Sequence, residues 1–405
     1  MADEQTKKRE LQLAPPSRGR VDVLVVAGEH SGDEHAARMV RELRAQQPDL
    51  IIAALGGPEL AAAGAELLYD LTASSVVGLV EVLKHYSFFK ALFAETLRWI
   101  GEFRPQAVCF VDYPGFNLRM AAALRERGLS VKGGGKIKTL YYISPQIWAW
   151  KAGRRFAMAK NLDAMAVIFP FEIECYADTT LPVEFVGHPF VAAGHGSPVH
   201  YDAAGPVLLL PGSRKQAVAR IFPALLAGYE AFGERPAVVL YPSEEIRNLL
   251  ESILSHHSRG GPDRGAGEAR GRMGLSLRRT GEPVGASAVL TSSGTMSMHC
   301  ALAGIPGAIA YRASPLTYFF GRMLVKVDYL GIANLLLGEP MYPEYIQNAA
   351  TPSSLAAELR ACVFDLQRRD RTATQAGRLL GLLGRPTGGS AADWLARQLG
   401  RSAAR

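Results

Sequence analysis

The sequence lacks the features that mark secreted, zinc-bound and membrane-spanning proteins. Its four cysteines stand singly, with no CxxC pair and no Cys/His ligand spacing, which argues against a disulfide framework and a zinc site. Two of its longest apolar stretches, residues 221–232 and 300–311, are shorter than the roughly 18 residues of a membrane span. Residues 1–20 contain no apolar segment followed by a small-residue cleavage site, so we expect a cytoplasmic protein.

The charge balance favours an anionic partner without identifying it. The 405 residues carry 45 Lys and Arg against 38 Asp and Glu, which gives a formal net charge of +7. Nucleic acid, anionic lipid and phosphorylated small molecules all suit such a charge. The arginine-rich stretch at residues 264–279 has no interleaved aromatic residues, so we expect no nucleic-acid partner and favour an anionic lipid surface.

Apolar runs that alternate with helical periodicity predict an α/β fold with two Rossmann-like domains and parallel sheets. Strand-like runs at residues 21–27, 51–55, 107–111 and 139–143 each end in a turn, and a second series occupies residues 207–210, 237–241 and 288–290. The predicted order is a polar N-terminal tail (1–20), a first Rossmann-like domain (21–193), a linker (194–206), a second Rossmann-like domain (207–345) and C-terminal helices (346–405). Residues 258–274, rich in Gly and Arg, are predicted to be a mobile surface loop.

Loops that follow strands of the second domain are candidates for phosphate binding, because ligands of open α/β sheets lie beyond the carboxyl ends of the strands. Residues 293–295 open a predicted helix and offer hydroxyls and free N–H groups at its positive end, although ordinary helix capping is the alternative. An arginine at position 214 could bind a diphosphate in bidentate fashion or simply face solvent. The candidate residues are Gly212, Ser213, Arg214, Ser293, Gly294 and Thr295.

Two strand-end loops of the first domain carry candidate catalytic and sugar-binding groups. Asp112 ends a nearly all-apolar strand, where a carboxylate could deprotonate an attacking hydroxyl or form an Asx-turn. The first βα turn carries further polar groups that could bind sugar hydroxyls or cap a helix. These acceptor-side candidates are Glu29, His30, Ser31 and Asp33.

An apolar segment beginning near residue 76 is more hydrophobic than a surface helix requires, and Lys84, His85 and Lys90 are interleaved with it. We interpret it as an acyl-chain or membrane contact, the alternative being packing against the sheet. Its candidate contact residues are Val77, Leu79, Val80, Leu83, Phe88 and Phe89. Trp148 and Trp150 with nearby cations form a second candidate surface for an amphiphilic phosphosugar, or a packed aromatic corner.

Taken in order, the loop motifs resemble the lipid-A-disaccharide synthase family over residues 21–334. The motifs are AGEHSGD at 27–33, VEVL at 80–83, DYPGFN at 112–117, YISPQIWAW at 142–150, FPFE at 169–172, GHP at 187–189, LPGSR at 210–214, SGT at 293–295, YR at 311–312, DY at 328–329 and NLL at 334–336. The resemblance implies an inverting GT-B glycosyltransferase with two facing Rossmann-like domains and a cleft between them. It also implies His299, Tyr311, Arg312 and Asn334 as further UDP-sugar ligands.

By the same resemblance, the reaction joins UDP-2,3-diacylglucosamine to 2,3-diacylglucosamine 1-phosphate, with no metal and no cofactor. The absence of an Asp-x-Asp pattern agrees, because Arg214 and the loop at 293–295 would then stabilise the leaving diphosphate. The family also implies a peripheral location on the cytoplasmic side of the inner membrane. A homodimer through the C-terminal helices is a further expectation.

The sequence departs from the family pattern at two positions. His299 stands where the family usually has a glutamate that can accept hydrogen bonds from ribose, and a neutral imidazole offers only one acceptor. Gly115 stands where some relatives have an acidic residue. Two alternatives stay open: a UDP-N-acetylglucosamine 2-epimerase, which uses the same two-domain scaffold and a similar diphosphate site, and a nucleotide-sugar-binding paralogue without turnover, which His299 motivates.

Overall fold

The computed structural model describes residues 11–74, 86–192, 194–259, 274–313, 327–386 and 389–401. The chain divides into two compact units. The first consists of Met1–Pro189 together with Arg385–Arg405, and the second of Phe190–Gly384. Within the described residues, no helix is long and apolar enough to cross a membrane.

The first unit is built on a parallel sheet of seven strands in the order β3-β2-β1-β4-β5-β6-β7. The strands are β1 (Val23–Ala27), β2 (Ile52–Gly56), β3 (Glu66–Asp70), β4 (Ala107–Val111), β5 (Lys138–Tyr142), β6 (Ala164–Val167) and β7 (Val183–Phe185). Its helices are α1 (His30–Gln46), α2 (Pro58–Ala62), α3 (Tyr86–Phe103), α4 (Pro114–Glu126) and α5 (Arg154–Asn161), followed much later in the chain by α12 (Ala391–Gln398). Every residue of β1 and β4 is buried, as expected for parallel strands with helices on both faces.

The second unit repeats this plan with a sheet in the order β11-β10-β9-β13-β14-β15, and β8 pairs with β12 apart from it. The strands are β8 (Val199–Tyr201), β9 (Val207–Leu210), β10 (Ala237–Tyr241), β11 (Leu275–Arg279), β12 (Val284–Ala286), β13 (Ala288–Thr291), β14 (Gly307–Tyr311) and β15 (Glu344–Ile346). The helices are α6 (Lys215–Phe232), α7 (Glu244–Arg259), α8 (Thr295–Leu302), α9 (Ile332–Leu337), α10 (Pro352–Phe364) and α11 (Leu366–Leu383). Strand order reverses at β1/β4 in the first sheet and at β9/β13 in the second, and such switch points are where ligands bind in open α/β sheets.

The structure differs from the predicted domain boundaries in three places. The tail packs against the first unit from Leu13 onward, because this leucine is buried and its N–H donates to Glu95 Oε1 at 2.8 Å. The predicted linker contains β8, whose edge is paired with β12. The last helix, α12, belongs to the first unit, where Gln46 Nε2 donates to Asp393 Oδ1 at 2.9 Å.

Most of the predicted mobile loop at residues 258–274 lies outside the described residues, as do Val77, Leu79, Val80 and Leu83.

Candidate functional site

At the switch point of the first sheet, the structure brings together the two loops that carry the candidate base and the candidate sugar ligands. Strands β1 and β4 are paired up to Ala27 and Val111, so the loops after them leave the sheet side by side. The Tyr113 ring lies against the first loop, because a Cβ added at Gly28 would fall 2.3 Å from Tyr113 Cδ1. Only glycine fits at position 28 under this ring.

The backbone at Asp112 is strained and firmly held. Asp112 and Tyr113 both lie in the left-handed region, with φ of 46° and 49°, which non-glycine residues rarely adopt. The carbonyl oxygen of Asp112 accepts hydrogen bonds from Asn117 Nδ2 at 2.8 Å and from the Tyr141 hydroxyl at 2.6 Å. Strain of this kind concentrates at functional sites and persists only where neighbouring groups enforce it.

The environment of Asp112 suits a general base near neutral pH. Burial and, to a lesser degree, the negative charge of Glu29 raise the pKa of the Asp112 carboxyl to about 6, against an opposing hydrogen bond from the Tyr113 backbone. A base whose pKa lies close to the working pH combines the ionised form with a strong tendency to accept a proton. The shift therefore places Asp112 within the useful range for proton abstraction.

A cavity of about 230 Å³ opens beside this carboxylate, and those of its lining residues that the structure describes belong to the first unit. The polar groups that share it with Asp112 are Ser144, Gln146, Arg154 and Glu172. The Trp150 ring is 45% exposed at the same cavity, and the Arg154 guanidinium lies 5.1 Å from its centroid. Trp150 was predicted from the sequence as a candidate for phosphosugar binding, whereas the approach of its loop to Asp112 was not predicted.

Glu172 is a cavity residue to which sequence analysis assigned no role, although it ends the FPFE motif. The residue is only 2% exposed, and burial raises the pKa of its carboxyl to about 8. Its Oε2 accepts the Phe169 N–H at 3.1 Å. At neutral pH this cavity therefore holds a largely protonated glutamic acid that can donate a hydrogen bond.

The four acceptor-side candidates of the first turn separate into exposed and buried groups. Glu29, His30 and Ser31 are exposed at the carboxyl end of β1. Asp33 is 1% exposed, and its carboxylate accepts N–H groups from Gly57 at 2.8 Å and Glu59 at 2.9 Å at the start of α2. This geometry gives Asp33 a structural role, so we no longer count it as a sugar ligand.

At the switch point of the second sheet, the two predicted phosphate loops are neighbours. Strands β9 and β13 are paired up to Leu210 and Thr291, and the Ser292 N–H donates to the Leu210 carbonyl at 2.9 Å. Gly212 has φ of 103°, and a Cβ there would lie 3.1 Å from Ser292 Oγ. Glycine at position 212 thus allows the close approach of the two loops.

Both loops present exposed polar groups at helix starts. Arg214 is the N-cap residue of α6 and Gly294 that of α8, and neither helix start is capped by the side chain of its N-cap residue. Backbone N–H groups at an uncapped helix start favour an anion. The exposed residues of the two loops are Ser213, Arg214, Ser293, Gly294 and Thr295.

The remaining candidates of the second unit occupy different environments. Asn334 is fully buried: its Nδ2 donates to the Tyr342 carbonyl and to Glu344, and its Oδ1 accepts the N–H groups of Met341 and Tyr342. All four hydrogen-bonding positions of this amide are used, so Asn334 is structural and no longer counts as a UDP ligand.

The other three candidates of the second unit, His299, Tyr311 and Arg312, differ in how exposed they are. Arg312 donates to the Ala350 carbonyl at 2.7 Å but remains exposed, and Tyr311 is half-buried at the end of β14. His299 is 7% exposed, and its ring stacks on Phe190 with centroids 3.9 Å apart. The histidine that replaces the expected family glutamate is therefore packed in an aromatic stack.

Of the membrane-contact candidates, Phe88 and Phe89 lie within the described residues. Both are half-buried near the start of α3, with ring centroids 5.9 Å apart, and Phe88 also packs 6.0 Å from Tyr69. Partial burial is compatible with both interpretations of this segment, packing against the sheet and contact with acyl chains.

Comparison with known proteins gives a consistent family. A family model described as lipid-A-disaccharide synthetase matches residues 23–387. The lipid-A-disaccharide synthase of Geobacter metallireducens is 35% identical over 376 residues, covering 89% of this chain and 93% of the relative. That of Anaeromyxobacter dehalogenans is 36% identical over 377 residues, covering 90% and 94%.

Solved structures show the fold. The kitacinnamycin glycotransferase matches with a TM-score of 0.57 at 17% identity, covering 94% of this chain and 99% of that chain. A putative UDP-N-acetylglucosamine 2-epimerase from Listeria monocytogenes matches with a TM-score of 0.53 at 12% identity, covering 89% and 95%. Together with the two Rossmann-like sheets, these likenesses show the GT-B fold that was predicted.

Proposed function

This chain belongs to the lipid-A-disaccharide synthase family of glycosyltransferases, and we propose on that basis that it joins UDP-2,3-diacylglucosamine to 2,3-diacylglucosamine 1-phosphate. The products would be the β-1′,6-linked disaccharide 1-phosphate and UDP. The family match covers most of the chain, and it favours the synthase over the epimerase, which shares only the fold. The observation that carries the mechanism is Asp112, held at the switch point of the first sheet with its raised pKa.

The proposed chemical step is a single displacement. Asp112 accepts the proton of the acceptor 6-hydroxyl while that oxygen forms a bond to the anomeric carbon of the donor. The bond between the anomeric carbon and the diphosphate oxygen breaks on the opposite face, so the configuration inverts and UDP leaves. A positioned base of this kind typically contributes 10²–10⁴-fold to the rate.

The second unit is proposed to bind the UDP portion of the donor. Its paired loops offer Arg214 and the N–H groups at the start of α8, which together suit the charge that develops on a leaving diphosphate. The hydroxyls of Ser293 and Thr295 would add neutral hydrogen bonds. On the basis of the family resemblance, three further residues are proposed to contact the UDP portion of the donor: Tyr311, Arg312 and His299.

The first unit is proposed to bind the acceptor. The cavity beside Asp112 supplies an exposed tryptophan and an arginine, which suit a sugar ring and an anionic group. Exposed Glu29, His30 and Ser31 border the same switch point and remain proposed contacts to sugar hydroxyls.

Product analysis tests the proposed reaction. The protein would be incubated in detergent micelles with the two diacylglucosamine substrates, and separately with UDP-N-acetylglucosamine alone. Formation of the lipid disaccharide and UDP in equal amounts supports the synthase. Conversion of UDP-N-acetylglucosamine to its 2-epimer, or UDP binding with no product, would replace it by the corresponding alternative.

We further propose that the protein acts peripherally at the cytoplasmic face of the inner membrane. Support comes from the excess positive charge and from the half-buried Phe88 and Phe89 at the start of α3. Sedimentation with vesicles of zwitterionic and anionic lipid tests this, with binding expected to increase with the anionic fraction. No binding to either vesicle would contradict the proposal.

A homodimer through the C-terminal helices is proposed on a single structural feature. Large apolar side chains are exposed on or beside α10 and α11, namely Phe364, Leu366, Leu380 and Leu382. Sedimentation equilibrium of wild type and of a Leu366→Glu, Leu380→Glu variant tests this. A monomeric wild type would contradict it.

A further inference from the structure

A second cavity in the first unit, of about 440 Å³, lies between α3 and α4. Among the described residues, its walls are mainly aromatic, and its volume falls within the roughly 300–1,000 Å³ that ligand sites occupy. It is distinct from the cavity that contains the Asp112 carboxylate, although Tyr113, the residue after the base, lies in its wall.

Three phenylalanines give this cavity an apolar interior. Phe89 and Phe93 lie one turn apart on α3, and Phe116 lies in the first turn of α4. Phe93 packs edge-on against Phe116 with centroids 5.4 Å apart, and Phe116 stacks on Tyr113 at 6.1 Å. A continuous aromatic surface therefore runs from the interior of the cavity to the loop that carries the base.

Two cations sit in the same wall. Lys90 and Arg119 are exposed, and neither forms an ion pair within the part of the chain that the structure describes. Apolar walls together with two exposed positive charges suit a ligand that is anionic at one end and hydrocarbon at the other.

We propose that this cavity binds the acceptor lipid, with an acyl chain against the three phenylalanines and the 1-phosphate near Lys90 and Arg119. This inference rests on the proposed function and names the residues that select an acylated, phosphorylated acceptor. The acceptor is favoured over the donor because the cavity adjoins Tyr113 in the first unit, whereas the paired phosphate loops belong to the second. Its 6-hydroxyl is the group that Asp112 must reach.

Gly115 provides a way to fill the cavity without disturbing the fold. It lies in the cavity wall in the first turn of α4, it has no left-handed φ, and a Cβ added there meets no atom within 4 Å. A larger side chain at this position would therefore extend into free space. Gly377 on α11 is an exposed glycine with equally open surroundings outside this unit, so Gly377→Leu is the matched control.

The test is steady-state kinetics of Gly115→Leu with acceptors of different acyl length. Acceptor KM is expected to rise at least tenfold for the long-chain lipid, while donor KM and the activity of Gly377→Leu stay at wild-type values. In the wild type, each methylene removed from the acceptor should raise KM on the order of threefold, a dependence that Gly115→Leu should lose. A rise in donor KM instead would overturn the assignment to the acceptor.

The phosphate end is tested with Lys90→Gln and Arg119→Gln. Each is expected to raise KM about tenfold for the phosphorylated acceptor and to leave KM for its dephosphorylated analogue unchanged. Lys132→Gln, an exposed lysine of the same unit, serves as the charge control. Equal effects on both acceptors would show that these cations do not contact the phosphate.

Failure of this inference can be told apart from failure of the proposed function. If the wild type forms no disaccharide, binding of diacylglucosamine 1-phosphate alone is measured by calorimetry below its micellar concentration. Binding by the wild type that Gly115→Leu weakens would support the cavity even without turnover. Disaccharide formation with kinetics that the three variants leave unchanged would overturn the cavity and leave the proposed function intact.

Discussion

At the scale of single residues, environment gives the same side chain different roles. Asp33 and Asp112 both follow strands of one sheet closely, yet the Asp33 carboxylate accepts backbone N–H groups at the start of α2, whereas Asp112 lines a cavity. The sequence could not distinguish the roles of these two aspartates, because the hydrogen-bond partners of Asp33 lie 24–27 positions away along the chain. Asn334 was misassigned for the same reason, since its role depends on contacts made by residues 341–344.

The raised pKa of Asp112 predicts an acidic limit to activity. A base must be ionised, so kcat/KM should fall about tenfold per pH unit below about pH 6. Glu29→Gln removes a negative charge that raises this pKa, so the acid limb should move to lower pH. The pH dependence of kcat/KM measures this, with exposed Glu34→Gln in helix α1 as a control. A limb that stays in place in Glu29→Gln would contradict the assignment.

At the scale of elements, strands and strand-end loops were predictable and long-range pairings were not. Runs at 107–111, 207–210 and 237–241 coincide with β4, β9 and β10, because buried parallel strands are continuous apolar segments. The loops after β9 and β13 are neighbours because these two strands are adjacent in the sheet. The alternation of strands and helices predicts a parallel sheet, but it does not fix the order of the strands within it. The return of α12 to the first unit depends on contacts such as Gln46 with Asp393, 347 positions apart, which no local pattern encodes.

The buried Arg368 joins helix α11 to α10 by an ion pair and to the second sheet by a hydrogen bond, so replacing it should destabilise this unit. Arg368 is 5% exposed, pairs with Glu358 at 3.1 Å, and donates to the carbonyls of Gly307 and Met341 at 3.0 Å. Arg368→Met leaves a carboxylate that is only 12% exposed and two carbonyls without this donor, so we expect a loss of about 3–5 kcal/mol in unfolding free energy. Urea denaturation measures it.

The matched control for this change is Arg371→Met, an exposed arginine of the same helix. It should alter stability by less than about 0.5 kcal/mol. If the two substitutions changed the unfolding free energy equally, the buried hydrogen bonds and ion pair of Arg368 would not contribute to stability beyond what an exposed arginine does.

The turn after β6 makes stability depend on pH through Glu172. Its pKa is raised by burial from 4.5 to about 8, so the folded state keeps a proton that the unfolded state releases between these values. Stability contributed by the protonated form is therefore lost as pH rises through this window. Glu172→Gln retains an acceptor for the Phe169 N–H without the charge.

Thermal unfolding at two pH values checks this prediction. The melting temperature of Glu172→Gln should exceed that of the wild type at pH 8.5 and approach it at pH 5. Exposed Glu174→Gln is the control. A variant that melts below the wild type at pH 8.5 would show that the Glu172 carboxylate stabilises the fold when ionised.

At the scale of the whole molecule, each of two units with related strand order presents its candidate ligand loops at its own switch point. The first unit combines a candidate base with two cavities, and the second offers paired loops with uncapped helix starts. The fold class followed from the alternation of strands and helices. The family followed from the order of the motifs, which the family match over residues 23–387 confirms.

The most direct test of the central claim, that Asp112 is the base of the transfer, is the single-turnover rate of Asp112→Asn. Asparagine tolerates the left-handed backbone at this position, so the substitution removes the charge while keeping the turn. We predict a rate at least 10²-fold below wild type with unchanged UDP affinity, while exposed Asp49→Asn behaves as wild type. A rate within a fewfold of wild type would show that another group removes the acceptor proton.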